Sequence, residues 1–124
     1  MSLRLFAALP IPAEIAARLT PLQTGVPGAR WSPPDNFHIT LRYFGACDRA
    51  ARRAGMPAMT RRYTPHVTLA YLRGAEVDPV RRFERRAALF STPAFTADRF
   101  YLYSSWSREG EPNLYRVEAE YPLG

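Results

Sequence analysis

The chain has 124 residues, a formal net charge of +6 and one cysteine, Cys47; its length suits a single domain, and an internal disulfide or a cysteine cluster for a metal is excluded. All 17 basic residues are arginines, and the absence of lysine excludes P-loop ATPases and ATP-dependent ligases, which both need a lysine side chain. The N-terminal residues resemble neither a membrane span nor a secretion signal, so we expect a cytoplasmic protein that does not associate with membranes.

The first half of the chain predicts a strand, a helix and a second strand. The apolar residues 3–9 predict a buried strand, and Pro12 suits the first position of a helix that ends at Gly25. The apolar residues of this helix repeat at helical spacing: Ile15, Leu19 and Leu22. Residues 32–36 then predict a turn that leads into a strand over residues 37–44.

The second half predicts a strand over residues 63–72 and a helix that begins at Asp78. The buried stripe of this helix comprises Val80, Phe83 and Ala87. Its opposite side carries four arginines, which we interpret as a solvated face: Arg81, Arg82, Arg85 and Arg86. Residues 95–103 and 114–121 predict two antiparallel strands, the second with one covered face made by Tyr115, Val117, Ala119 and Tyr121.

This order of elements predicts an α+β fold rather than a parallel doubly wound sheet. We expect residues 1–124 to form a single domain with two pseudo-symmetric lobes, each an antiparallel sheet backed by helices. Each lobe contributes one His-x-Thr motif at a comparable position. The two motifs are therefore expected to face each other across a central cleft.

Both histidines of the chain stand in the same short motif, His38-Ile39-Thr40 and His66-Val67-Thr68. Side chains alternate along a strand, so each histidine shares a face with its threonine, and Arg42 continues the first of these faces. A single His-x-Thr is more commonly a structural feature, because histidine is ordinary in sheets and short motifs recur by chance. Two copies that include both histidines instead indicate one joint site.

Two imidazoles and two hydroxyls suit displacement at a phosphorus atom. The reaction is in line, so one group deprotonates the attacking water while another protonates the leaving oxygen on the opposite side. Imidazole titrates near neutrality and can do either. The hydroxyls of Thr40 and Thr68 can donate to the non-bridging oxygens and Arg42 can add a positive charge, so this chemistry needs no metal or other cofactor.

Several segments carry a family resemblance. They are the N-terminal Arg-Leu-Phe strand, Pro-Gly-Ala-Arg-Trp at 27–31, Asn-Phe-His-Ile-Thr-Leu at 36–41, Pro-His-Val-Thr-Leu at 65–69 and Leu-Tyr-Ser-Ser at 102–105. In these segments the chain resembles the two-histidine phosphoesterases, in particular the bacterial and archaeal RNA 2′,3′-cyclic phosphodiesterases, once called 2′-5′ RNA ligases. The resemblance covers nearly the whole chain.

The resemblance implies an enzyme that opens a 2′,3′-cyclic phosphate to a 2′-phosphomonoester without a metal, with a weak reverse reaction that forms 2′-5′ linkages in some members. It implies that His38 and His66 are the acid and base and that Thr40 and Thr68 hold the phosphate. The implied partners are RNA with a 2′,3′-cyclic phosphate end or a small cyclic nucleotide, and the basic composition agrees with a polyanionic partner. We expect a monomer.

The chain departs from the family pattern in two places. Family members usually carry arginine five residues after the second motif histidine, where this chain has Tyr71. Tyr71 could stack on a base, although strict alternation along the strand favours a core role for it. Only 28 positions separate His38 from His66, whereas the elements that normally lie between them need roughly 50 residues. The short spacing indicates either a true miniature or a missing segment between about residues 46 and 51.

Three alternatives fit parts of the same sequence. The first is a non-catalytic module that binds RNA ends through Arg30, Trp31 and Arg42, which predicts binding without turnover. The second is a metalloenzyme with two histidines and a carboxylate, although the sequence has no HExxH motif. The third, a serine hydrolase, lacks the G-x-S-x-G turn.

Overall fold

The computed structural model describes residues 4–46 and 63–123. The strands in this part of the chain are β1 (Arg4–Pro10), β2 (Arg30–Trp31), β3 (His38–Ala46), β4 (Ala70–Tyr71), β5 (Arg99–Arg108) and β6 (Glu111–Pro122). The α-helices there are α1 (Ala13–Leu19) and α2 (Val77–Ala87). No helix among the described residues is long and apolar enough to span a membrane. The predicted α+β class with antiparallel sheets is confirmed.

The chain divides into two compact units made of interleaved segments. One comprises Met1–Pro10, His38–Val67 and Ala97–Gly124 and contains the four-stranded sheet; we call it the sheet unit. The other comprises Ile11–Phe37 and Thr68–Thr96 and contains both α-helices; we call it the helical unit. The second His-x-Thr motif crosses from one unit to the other, because Val67 belongs to the sheet unit and Thr68 to the helical unit.

The sheet unit is built around β1. Its strand order is β3-β1-β5-β6, and each neighbouring pair is antiparallel. Strand β1 has a partner on both edges, and four of its apolar residues are buried: Leu5, Phe6, Ala7 and Ala8. Strands β5 and β6 form a hairpin through Gly110, whose φ of 71° lies in the left-handed region that favours glycine.

A β-bulge in β6 changes which residues share a face. Leu102 pairs with Ala119 and Tyr103 with Val117, so Glu118 is an extra residue in the ladder. The predicted single covered face, with Tyr115, Val117, Ala119 and Tyr121 together, is therefore wrong. The bulge separates the first two of these side chains from the last two, because consecutive partners on β5 point to opposite sides of the sheet.

The helical unit joins α1, α2 and the two-stranded sheet of β2 and β4. The Gln23 side-chain amide donates to the backbone carbonyls of Ser32 at 2.7 Å and Leu69 at 3.0 Å, and thereby links the segments that contain these two strands. Trp31 on β2 packs against Phe83 on α2, with ring centroids 6.2 Å apart. The predicted stripe of α2 is confirmed, since Val80, Phe83 and Ala87 are its partly covered apolar residues and the four arginines are exposed.

Two further predictions are not confirmed: one is wrong in its extent, and the other concerns residues outside the described part of the chain. The strand predicted over residues 63–72 is wrong in its extent: only an isolated bridge at Val67 and the two-residue strand β4 form there. Pro65 has no N–H to donate to a ladder, and the side chain of His66 bonds the backbone at Thr64 instead. The missing segment predicted between about residues 46 and 51 lies almost wholly outside the described residues.

Candidate functional site

Strand β3 places the first motif at the edge of the sheet unit. His38 pairs with Pro10 and Thr40 with Ala8 on β1, so the two side chains lie on one face of the sheet, as predicted. Both residues are partly buried. We call this side of the sheet the His38 face.

Aromatic side chains from three other strands surround the His38 ring. Its centroid lies 4.9 Å from that of Phe6, 5.4 Å from that of Tyr115 and 6.3 Å from that of Tyr103. The Tyr115 ring meets the imidazole at 83°, an edge-to-face arrangement, and Phe6 is only 4% exposed. The sequence does not predict these three residues as part of a site, because they come from β1, β5 and β6 and no local pattern joins them.

The Tyr103 hydroxyl remains protonated over a wide pH range. Burial, with a smaller contribution from nearby Tyr101, raises the pKa of Tyr103 to about 12. Below pH 10 this group is therefore a neutral hydroxyl beside His38 and does not add a negative charge to the site.

Two contacts hold the start of the second motif against β3. Val67 forms an antiparallel bridge with Ile39, the central residue of the first motif. Because the two segments run in opposite directions, this bridge brings His66 to the level of Thr40. The Tyr63 hydroxyl donates a hydrogen bond to the Thr40 backbone carbonyl at 3.0 Å. Both histidines thus belong to the sheet unit, joined through the middle residues of their motifs.

A backbone hydrogen bond sets the tautomer of His66. Its Nδ1 lies 2.8 Å from the backbone carbonyl oxygen of Thr64. A carbonyl oxygen only accepts, so Nδ1 carries the proton in this bond. When the ring is neutral, Nε2 is left with its lone pair, which is the form that a general base needs. The His66 side chain is exposed.

Two other predicted site residues, Thr68 and Tyr71, lie in the helical unit. Thr68 is partly buried and follows directly on Val67. Tyr71 pairs with Arg30 in the ladder of β2 and β4 and is 56% exposed. The core role that alternation favours for Tyr71 is therefore wrong, because the end of this short strand leaves the ring accessible.

Arg42 does not share the His38 face. Thr40 pairs with Ala8 but Arg42 with Ala7, so Leu41 is an extra residue in the ladder. Because Ala7 and Ala8 point to opposite sides of β1, this β-bulge turns Arg42 to the other side of the sheet. There its guanidinium lies 5.7 Å from the centroid of the Phe44 ring. The predicted continuation of the face from Thr40 to Arg42 is wrong for this reason.

The metalloenzyme alternative requires two histidines and a carboxylate close enough together to hold a metal ion. Among those residues, no group of three or more His, Cys, Asp or Glu side chains lies close enough together to hold a metal ion.

Comparisons with known proteins identify a family. A sequence model described as LigT-like phosphoesterase matches residues 9–54 and 42–112, two segments that overlap. The search of curated proteins gave no match. Among solved structures, apo LigT of E. coli is similar with a TM-score of 0.66 and 20% identity, covering 98% of both chains.

Two further structures share the fold. E. coli LigT complexed with 3′-AMP has a TM-score of 0.63 and 20% identity, covering 98% of both chains. The protein TT0787 of Thermus thermophilus has a TM-score of 0.54 and 22% identity, covering 97% of both chains. At this identity the structural likeness supports the fold, and the family match supports phosphoesterase activity in general. The chain belongs to the LigT-like phosphoesterases and, with them, to the two-histidine phosphoesterase superfamily.

Proposed function

We propose that this protein hydrolyses the 2′,3′-cyclic phosphate at an RNA end to a 2′-phosphomonoester without a metal ion. The observation that carries the proposal is the bridge between Ile39 and Val67, which joins the two His-x-Thr motifs at their centres. Paired imidazoles on adjacent segments suit in-line displacement at phosphorus, which needs a base on one side and an acid on the other.

In this proposal His66 is the general base. Its Nδ1 proton is held by the Thr64 carbonyl, so the neutral ring presents Nε2 as the acceptor. A water molecule gives its proton to Nε2 and attacks the phosphorus atom. The exposed position of His66 agrees with access to water.

His38 is then the general acid. Phe6 lies against the imidazole with ring planes inclined by 37° and helps to fix its position. The protonated ring donates its proton to the 3′ oxygen as the bond from phosphorus to that oxygen breaks. The products are a free 3′-hydroxyl and a 2′-phosphate. A 5′-hydroxyl that attacks in place of water gives a 2′-5′ linkage, the weak reverse-type reaction.

We assign Thr40 and Thr68 to the phosphate. The Thr40 hydroxyl lies on the His38 face, and Thr68 stands two residues after His66, the spacing that keeps side chains on one side of an extended segment. Their hydroxyls donate to the non-bridging oxygens, where charge accumulates. We leave Arg42 out of this set because of the bulge at Leu41. Exposed Tyr71 is proposed to stack on a base of the substrate.

The nature of the substrate has support of two kinds. E. coli LigT, which shares this fold, has been crystallised with 3′-AMP, a nucleotide with its phosphate on the ribose 3′ oxygen. The net charge of +6 also favours a polyanion, since bound arginines release the counterions of phosphates. An RNA end with a cyclic phosphate agrees with both observations, because it is a polyanion with a phosphate on its terminal ribose.

The test is incubation of the protein with RNA that ends in a 2′,3′-cyclic phosphate, with a chelator present throughout. The proposal predicts turnover to a 2′-phosphomonoester at the rate seen without chelator. Binding without turnover would favour the RNA-end binding module, and loss of turnover on chelation would favour the metalloenzyme. A 3′-phosphomonoester product would contradict the assigned leaving oxygen.

A further inference from the structure

Helix α2 presents three exposed arginines, Arg81, Arg82 and Arg85, which we call the arginine face. Within the described residues none of them takes part in an ion pair, and the acidic residues of the same helix, Asp78 and Glu84, form none either. Arg82 directly follows Arg81, and Arg85 comes three residues after Arg82 and four after Arg81. The three side chains therefore occupy one side of the helix, away from its apolar stripe.

The fourth arginine of α2, Arg86, has a structural role and so differs from the three residues of the arginine face. Arg86 donates to the Thr24 backbone carbonyl at 2.7 Å, and its guanidinium lies 5.3 Å from the centroid of the Phe83 ring. It also packs on Gly25, where an added Cβ would lie 2.8 Å from Arg86 Nη1. Arg86 therefore contributes to the fold of the helical unit, whereas the arginine face makes no comparable contact among the described residues.

Within the arginine face, Arg85 lies four residues after Arg81 and three after Arg82, so like charges are neighbours on the helix surface. Like charges three and four residues apart on a helix repel and destabilise it by roughly 0.2–0.5 kcal/mol per pair. A bound polyanion would remove this repulsion. Guanidinium groups form paired hydrogen bonds with phosphate oxygens, so three exposed arginines on one side of a helix suit successive phosphates of a strand.

We propose that the arginine face binds the phosphates of an RNA strand. This inference rests on the proposed function for its substrate. Arg81 and Arg85 are about 6 Å apart along the helix axis, a length that corresponds to about two nucleotides of a stacked strand. The face thus adds affinity for an oligonucleotide and contributes nothing to a mononucleotide.

The experiment compares the R81Q/R82Q/R85Q variant with the unchanged protein on two substrates, a short single-stranded RNA with a 2′,3′-cyclic phosphate and a 2′,3′-cyclic mononucleotide. We expect kcat/KM for the RNA to fall about tenfold or more at low salt, and kcat/KM for the mononucleotide to stay unchanged. The salt dependence of RNA binding should also weaken, with a slope smaller by about 2 for three lost contacts.

A matched control removes the same net charge elsewhere. The R4Q/R108Q/R116Q variant changes three arginines of the sheet unit that have no assigned part in the site and should retain RNA affinity. RNA affinity is measured separately by fluorescence anisotropy, so the arginine face is tested even if the cyclic phosphate is not hydrolysed. Equal losses in both variants, an unchanged salt slope, or equally tight binding of polyglutamate would overturn the inference.

Discussion

At the scale of single residues, the surroundings of the two imidazoles differ in a way that divides their roles. His66 is exposed and bonded through Nδ1 to a carbonyl, whereas His38 lies among the rings of Phe6, Tyr103 and Tyr115. A working enzyme needs one ring neutral and the other protonated. The pH profile of kcat/KM should therefore be bell-shaped around neutrality.

The aromatic contact to His38 leads to a prediction for Tyr115. Replacing it with Leu keeps an apolar side chain but removes a ring that lies 5.4 Å from the imidazole. If this contact orients the His38 ring for proton transfer, its loss should lower kcat several-fold and leave KM nearly unchanged. An unchanged kcat in Tyr115→Leu would contradict a positioning role for this ring.

The buried hydroxyl of Tyr103 predicts a change in stability at high pH. Its pKa is raised from 10 to about 12, so the folded protein retains a proton that the unfolded chain loses. Stability from this group is complete below pH 10 and falls as the pH rises from 10 to 12. In urea unfolding over this range, Tyr103→Phe should lose less stability than the unchanged protein. Tyr121→Phe, which alters a more exposed tyrosine, should behave like the unchanged protein.

At the scale of secondary structure elements, a hydrogen bond from Tyr63 joins the segment before the second motif to β3. Tyr63 is 46% exposed, and its hydroxyl donates to the Thr40 carbonyl of β3. Tyr63→Phe retains the ring and removes only this hydrogen bond. We expect kcat to fall about fivefold, because the net value of such a bond, about 1 kcal/mol, would otherwise help to keep His66 in register with Thr40.

The readouts for Tyr63→Phe separate positioning from folding. The melting temperature should change by only a few degrees, since one exposed hydrogen bond contributes little to overall stability. Tyr121→Phe again serves as the matched control, because it removes a hydroxyl from a tyrosine whose ring stacks on Phe100. Unchanged kcat in Tyr63→Phe would mean that the bridge at Val67 is sufficient to hold the segment.

The bulge in β3 predicts that Arg42 is dispensable. Its side chain is exposed on the side of the sheet opposite Thr40. Arg42→Ala should therefore leave kcat/KM for a cyclic mononucleotide unchanged, and Thr40→Ala should lower it, because only the latter loses a donor to the phosphate. A rise in KM for Arg42→Ala alone would show that the phosphate is reached from the other side of the strand.

The same bulges explain how far the sequence predicts this fold. Alternation is a reliable guide to which residues share a face as long as the ladder is regular, and it correctly places His38 with Thr40. One extra residue, Leu41 in β3 or Glu118 in β6, reverses the positions that follow until the next register shift, and nothing in the local composition marks either residue. The errors for Arg42, Ala119 and Tyr121 share this cause.

At the scale of the whole molecule, the success of a prediction depends on whether its signal is local. The continuous apolar run of β1 and the helical stripe of α2 are both local patterns, and both are confirmed. The aromatic rings around His38 come together only through the pairing of β1 with β5 and of β5 with β6, which no single segment encodes. The predicted strand at the second motif is too long because its residue types favour strands while Pro65 interrupts the ladder.

The short spacing between the motifs is also a property of the whole chain. The family match falls into two segments that overlap over residues 42–54, a range that includes the region where the sequence predicts a missing segment. The missing segment itself stays a prediction. The bridge between Ile39 and Val67 brings the centres of both motifs together in the chain as it stands.

The central claim is that His38 and His66 act together on one phosphorus atom. The most direct measurement is kcat for a 2′,3′-cyclic phosphate substrate in His38→Ala, His66→Ala and the double variant. Each single change should lower kcat by at least ~10²-fold, the low end for a lost general acid or base. The double change should cost much less than the product of the two, because groups that act as a unit are not additive. Full activity in the double variant would contradict the claim.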